Sequence, residues 1–333
     1  MYLAFILTVA FIKATTAAYI VAYLKQPTKE MLKDTGSNEC YAFVNSTVTI
    51  CEITYLPNSF ENVIALDEDR EMFAQDCQYF PPWHLSRIVQ RAKQWEWSKA
   101  YRYPKLTRNT VAVYVLDTFV DCKHSQFQGR CRRVYSNQYT VRNPHGTHVA
   151  GLIASAQFGS DKFAQIFSVE VLDDNGRGVW SKLIAALSYV SRHANDRKQP
   201  AVINISISGA PSNVVDIAIQ QLFNQGLLTV VAAGNSNDNA CYHSPAREKS
   251  ALTVAASTWK DELAQFSNWG PCVDIIAPGD PIQSLLPNQS TGYMSGTSMA
   301  APIVAGIASS MLGIRPTISP SMLKKEILKV ASK

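Results

Sequence analysis

AVINISISGAPSNVVDIAIQQLFNQGLLTVVAAG, residues 201–234, is the stretch on which the fold turns. A β-branched apolar run (Ala201–Ser208) gives way to a helical pattern (Val214–Gln225). Gly226 then stands where a left-handed residue commonly ends a helix, and a second apolar run follows (Leu227–Ala233). Strand, helix, strand in this order predicts two parallel strands joined by a helix packed on their sheet. The alternation continues outward. Further strands are expected at Val111–Leu116, Ile166–Leu172 and Leu252–Ala256, and helices at Thr147–Ser155, Ser181–His193, Ser298–Leu312 and Pro320–Val330. Within 181–193, Leu183, Ile184, Leu187 and Val190 form one apolar stripe to lay on a sheet. From about residue 108 onward the chain therefore reads as an α/β domain, a doubly wound, mostly parallel sheet flanked by helices. Ligands of such sheets bind at the carboxyl ends of the strands.

The composition agrees with a folded protein. Of 333 residues, 47% are hydrophobic and 17% charged, with only 16 Gly and 16 Pro, which excludes disordered and collagen-like chains. A net charge of +5 spread over this length gives no reason to expect a nucleic-acid partner. Residues 19–75 differ in character: strand-like runs (Tyr19–Leu24, Thr47–Tyr55) close on Asp67-Glu68-Asp69, and composition shifts at Pro81-Pro82-Trp83. They read as a small α/β unit of their own. No internal repeat is visible.

Residues 2–12 (YLAFILTVAFI) are apolar but shorter than the ~20 residues of a spanning helix. Lys13 and the small residues ATTAA follow, which predicts a secretory signal peptide over 1–18, export, and no membrane span after its removal. An N-terminal anchor is the competing reading, because Tyr19, Ile20, Val21 and Leu24 prolong the hydrophobicity. In an oxidising compartment the seven cysteines pair by proximity as Cys40 with Cys51, Cys122 with Cys131 and Cys241 with Cys272, leaving Cys77 over. None has metal-ligand spacing with histidines. Asn45 and Asn288 head glycosylation sequons; Asn204 heads one inside a strand, where a glycan has no room.

Chemistry gathers at the ends of apolar runs. Asp117 follows TVAVYVL, His148 lies in HGTHVAG (145–151), and Ser298 lies in SGTSMAAP (295–302). A serine hydroxyl is a weak nucleophile until a general base takes its proton, and the base needs a third group to hold its tautomer. Serine, histidine and aspartate fill those roles. Asn235, just after LLTVV, can offer an amide to a developing oxyanion, as can backbone N–H groups at a helix start. Pro302 early in the last of these helices removes a ladder hydrogen bond, so something besides propensity must fix that turn.

DTFV (117–120), HGTHVAG, AAGNS (232–236) and GTSMAAP (296–302), in this order, resemble the subtilisin family, closest to its proteinase K branch. The resemblance runs from about Pro82 to the C-terminus and follows the family's Asp, His, Ser chain order. It implies a serine endopeptidase with Ser298 as nucleophile, His148 as general base, Asp117 as its orienting acid and Asn235 as oxyanion donor. No cofactor is required for such chemistry. It further implies three segments: a signal peptide (1–18), a pro-domain (19–75) acting as an intramolecular inhibitor, and a peptidase domain (76–333), monomeric and secreted, acting on proteins or peptides. PPWHLSRI (81–88) resembles the start of a mature enzyme.

The family binds substrate as an extended strand between two segments, matched here by Gly176-Arg177-Gly178-Val179-Trp180 and Ser206-Ile207-Ser208-Gly209-Ala210. Beside them Ala232, Ala233 and Gly234 complete the substrate-binding set. Ala232, Ala233, Ile207 and Ala210 suggest an apolar wall for the P1 side chain. A structural calcium site is implied at Asp274 with the carbonyls of Lys249 and Ala251, and the resemblance reinforces the Cys241–Cys272 pair. Phe119, Pro144 and Ser208 stand where relatives usually have Gly, which would strain the chain if φ must be positive there. A second reading, a catalytically impaired subtilase used as a binding or structural surface protein, would be supported by loss of a triad residue, and none is lost. Residues 87–108, rich in Lys/Arg and in Trp95, Trp97, Tyr101 and Tyr103, suit either a polyanion or membrane surface or, more simply, aromatics packed on the domain.

Overall fold

A computed structural model describes residues 19–37, 39–42, 46–68, 75–91, 99–104, 110–136 and 143–332. The expected signal segment, the sequon residue Asn45, and Trp95 and Trp97 lie outside the described residues. The chain divides into two compact units, 1–72 and 73–333.

In the first unit, β1 (Tyr19–Tyr23), α1 (Lys29–Asp34), β2 (Cys40–Ala42), β3 (Thr49–Ile53) and β4 (Val63–Glu68) build an antiparallel sheet in the order β2-β3-β1-β4. Alternate residues of the two central strands, Val21 and Tyr23 with Cys51 and Ile53, are buried and meet Met31 and Leu32 of the helix. Cys40 and Cys51 face each other across β2 and β3 and are bonded.

The second unit begins with α2 (Trp83–Ile88) flanked by a ribbon of β5 (Gln75–Tyr79) and β6 (Ala100–Pro104). It continues through β7 (Ala112–Asp117), β8 (Cys131–Tyr135), α3 (His145–Ala154), β9 (Gln165–Glu170), α4 (Trp180–Arg197), β10 (Ala201–Ile205), α5 (Asn213–Asn224), β11 (Leu228–Ala232), β12 (Leu252–Thr258), β13 (Ile275–Asp280), the hairpin β14 (Ile282–Leu286) and β15 (Ser290–Met294), α6 (Thr297–Ile314) and α7 (Pro320–Val330). Seven strands among the described residues form one sheet, β13-β12-β11-β10-β7-β9-β8, with every pair parallel. Side chains alternate across it. Val113 and Val115 of β7 pack with α3, α6 and α7, whereas Ala112, Tyr114 and Leu116 pack with α4 and α5. Strand order reverses at β7, so the crevice at its carboxyl end is the natural place for a ligand.

Expected and observed elements differ at the edges. β8 and β13 were not anticipated. Each borders the sheet, where one side need not be apolar and a Pro such as Pro278 costs no ladder bond. α3 starts at His145, two residues before the expected Thr147, with Pro144 at its cap. α6 is long and apolar enough to cross a membrane, but it is the buried central helix of this unit. The Cys122–Cys131 and Cys241–Cys272 disulfides are formed and Cys77 is free. No strain arises at the departures from glycine: Pro144 has φ −75°, and neither Phe119 nor Ser208 has positive φ. Phe119 is instead buried beneath the Arg133 guanidinium, 4.1 Å from its ring centre. Arg87 of the basic stretch is paired with Asp261 at 2.7 Å, and Tyr101 is buried, its hydroxyl donating to the Ser160 carbonyl. These two belong to the fold rather than to a free basic face.

Candidate active site

Asp117 ends β7, fully buried at the strand-order reversal. Its Oδ1 accepts from the Thr118 N–H (2.6 Å) and from Nδ1 of His145 (2.7 Å). His145 is the first residue of α3. The first turn of that helix is pressed onto the loop after β7: Gly146 N–H donates to Thr118 Oγ1, and a Cβ on Gly146 would lie 2.4 Å from the Thr118 carbonyl oxygen. Only glycine permits this approach, and it brings the ring to the carboxylate.

The histidine that meets Asp117 is therefore His145, which corrects the assignment to His148. His148 is fully buried one turn along, with Nε2 directed to the carbonyls of Ile282 (3.1 Å) and Gly292 (3.3 Å) on the β14–β15 hairpin. Its own carbonyl accepts from Ser284 Oγ. It fastens hairpin to helix. Burial, with the nearby His145, lowers its pKa to about 4, so it is neutral near pH 7. For His145, burial pulls the pKa down, but the charge of Asp117 and the hydrogen bond to it outweigh that and leave it above the usual imidazole value. With Nδ1–H held by a carboxylate, Nε2 is the ring's free acceptor.

Ser298 is the second residue of α6. Pro302 cannot donate to the Ser298 carbonyl four residues back, and Ser206 Oγ does so instead at 3.0 Å. Ser298 Oγ in turn donates to the Ser206 carbonyl at 3.1 Å, and Asn204 Nδ2 donates to Ser206 Oγ. This reciprocal clamp is what holds the turn that Pro302 leaves under-bonded. Without the Ser206 hydroxyl a part-buried carbonyl would lose this donor, a loss of about 1 kcal/mol.

Asn235 follows β11. Its Oδ1 accepts from both the N–H (2.8 Å) and Oγ1 (2.9 Å) of Thr297, which fixes the amide and turns Nδ2 outward. A Cβ on Gly296 would lie 3.3 Å from Asn235 Nδ2 and 3.6 Å from the Ser298 nitrogen, so the two donors flank one small space. Two N–H groups converging beside a serine hydroxyl are the equipment for an oxyanion.

A cleft of about 520 Å³ opens next to Ser298, lined by Ser208, Gly209, Ala210, Pro211, Ala232, Gly234, Asn235, Ser236, Tyr242, His243, Thr297 and Ser298. Ala233 and Ile207 do not line it: Ala233 packs with Ala240, Ala246 and Ala255, and Ile207 packs toward α4 and α5. Their place is taken by Tyr242 and His243, the latter bonded to Asp238 at 3.2 Å. The Cys241–Cys272 bond anchors this rim. The two expected substrate segments meet where the Trp180 ring covers Gly209. Arg177, Gly176 and Gly178 are exposed, on a turn in which Asp173 accepts from the N–H of Arg177 and of Asn175.

Asp274 and the carbonyls of Lys249 and Ala251 do converge, but on the ammonium of Lys324, at 2.9, 3.0 and 2.5 Å. Calcium takes six to eight oxygens at about 2.3–2.6 Å, and three oxygens already drawn around a cation do not fit it. Among the described residues no group of three or more His, Cys, Asp or Glu side chains could hold a metal.

A buried aspartate bonded to a half-buried histidine, a serine at a helix start and an anchored amide donor, all at one end of a parallel sheet, are the kinds of group that serine hydrolases use. Residues 108–333 match the subtilase family (Peptidase S8), and the chain belongs to that family. It is 40% identical over 278 residues to a subtilase-type proteinase of Schizosaccharomyces pombe (81% of this chain, 60% of that protein). It is 39% identical over 277 residues to an extracellular serine proteinase of a Thermus species (81% and 66%). The solved structure of a cold-adapted subtilisin-like serine proteinase superposes with a TM-score of 0.71 at 36% identity, covering 76% of this chain and 93% of that one. The chain thus spans less than two thirds of the length of these curated relatives.

Proposed function

We propose that this chain is the precursor of a secreted subtilisin-like serine endopeptidase. The observation that carries the reading is the His145–Asp117 bond, which holds Nδ1, leaves Nε2 as the ring's acceptor, and lies at the same carboxyl end of the sheet from which Ser298 and Asn235 are presented. In the reaction Ser298 Oγ attacks the peptide carbonyl as His145 Nε2 takes its proton, Asp117 stabilising the imidazolium. The oxyanion is received by Asn235 Nδ2 and the Ser298 N–H. His145 then protonates the departing amine, and water, deprotonated by His145, releases the acyl group from Ser298. Residues 1–18 serve as the export signal and 19–75 as an inhibitory segment removed by self-cleavage. The extracellular Thermus relative supports export.

Expression in a secreting host followed by N-terminal sequencing tests this. The wild-type chain should lose residues up to about 75, and Ser298→Ala should retain them. Processing of Ser298→Ala at the same bond and rate would contradict self-cleavage. No acidic residue lines the cleft, and Ala232 and Tyr242 offer apolar surface, so a peptide library should show preference for aromatic or aliphatic P1 residues. Dominant selection for Arg or Lys would be the opposite result.

The acid limb of kcat/KM provides a third check. His145 must be neutral to act as base, so activity is lost as pH falls through its raised pKa, and the limb should lie above about 6.5. Asp117→Asn should move the limb down while lowering kcat about 10,000-fold. A wild-type limb near pH 4 would point to His148 instead.

A further inference from the structure

We propose that the Lys324 ammonium is a built-in substitute for a structural metal ion, so that this corner of the fold is held without calcium. Lys324 lies on α7, Lys249 and Ala251 directly precede or enter the turn into β12, and Asp274 directly precedes β13. One ammonium spends its three N–H donors on three oxygens from two chain segments, within 2.5–3.0 Å. Its donor count equals the number of acceptors. Asp274 Oδ2 accepts as well from the Thr253 N–H, so the carboxylate is already fixed to β12 before the lysine arrives. The cluster is charge-balanced, one carboxylate against one ammonium, and both side chains are largely sheltered from water. A divalent ion in the same place would have to displace the ammonium into solvent, leave an excess positive charge and find further oxygens. The cluster lies at the amino ends of β12 and β13, the end of the sheet opposite the catalytic groups. Its consequence is accordingly for stability: the C-terminal helix is tied to two strands by a bond that a chelator cannot remove.

The test uses the full chain carrying Ser298→Ala, to prevent self-digestion. Calorimetric titration with calcium chloride is compared for this parent, for the parent with Lys324→Ser, and for the parent with Asp274→Asn. Lys324→Ser should bind one more calcium ion than the parent, and its Tm should fall by about 5 °C in chelator and recover on adding calcium. Asp274→Asn should leave the parent's calcium stoichiometry unchanged. The proposal is overturned if Lys324→Ser gains no calcium ion. It is equally overturned if Asp274→Asn removes one from the parent, an arm that does not depend on the lysine variant folding.

Discussion

Replacing His145 with alanine should lower kcat about a million-fold, the scale on which a subtilisin loses activity when its base or nucleophile is removed. Replacing His148 with asparagine should leave kcat within about tenfold. The contrast follows from what each ring touches. His145 Nδ1 is held on Asp117, which leaves its Nε2 as an acceptor, whereas His148 Nε2 is spent on the carbonyls of Ile282 and Gly292. The cost of His148→Asn should appear in stability, since one buried and one part-buried carbonyl lose the ring's donor. A loss of about 1–3 kcal/mol would lower Tm by roughly 3–10 °C. Both variants, matured in trans by wild-type enzyme, can be assayed on one peptide substrate with melting followed in parallel. A reversed pattern, His148→Asn inactive and His145→Ala active, would reject the site described above.

Asn235→Leu should lower kcat by about 100–1,000-fold with KM little changed, the effect such a donor has in this family. Leucine matches the volume but cannot donate, so substrate still binds and only the developing oxyanion is unsupported. Thr297 fixes the amide through Oδ1, which means the donor is pre-aimed and its loss is not made good by a neighbour. A rise in KM with kcat unchanged would instead assign Asn235 to ground-state binding.

How much of this was legible depended on whether the signal was local. The central strands are apolar on both faces and announced themselves; edge strands such as Cys131–Tyr135, with Arg132 and Arg133 exposed, did not. Asp117 and Asn235 were marked by the apolar runs they follow, and Ser298 by the apolar helix it opens. The histidine was not, because HGTH offers two, three residues apart and on one helix face, and the helix was expected to start at Thr147. Pro144 was the overlooked signal, since proline favours helix starts and places His145 first in the helix. The Ser206–Ser298 clamp and the Lys324 cluster join residues 92 and at least 50 positions apart, and no pattern along the chain records them.

The proposed reaction requires Ser298 to be a nucleophile activated by His145. Labelling the processed chain with a fluorophosphonate at neutral pH, then locating the adduct by mass spectrometry, tests this most directly. The adduct should lie on Ser298, persist in His148→Asn and be absent from His145→Ala. A processed chain that takes no label, or one labelled equally well without His145, would contradict it.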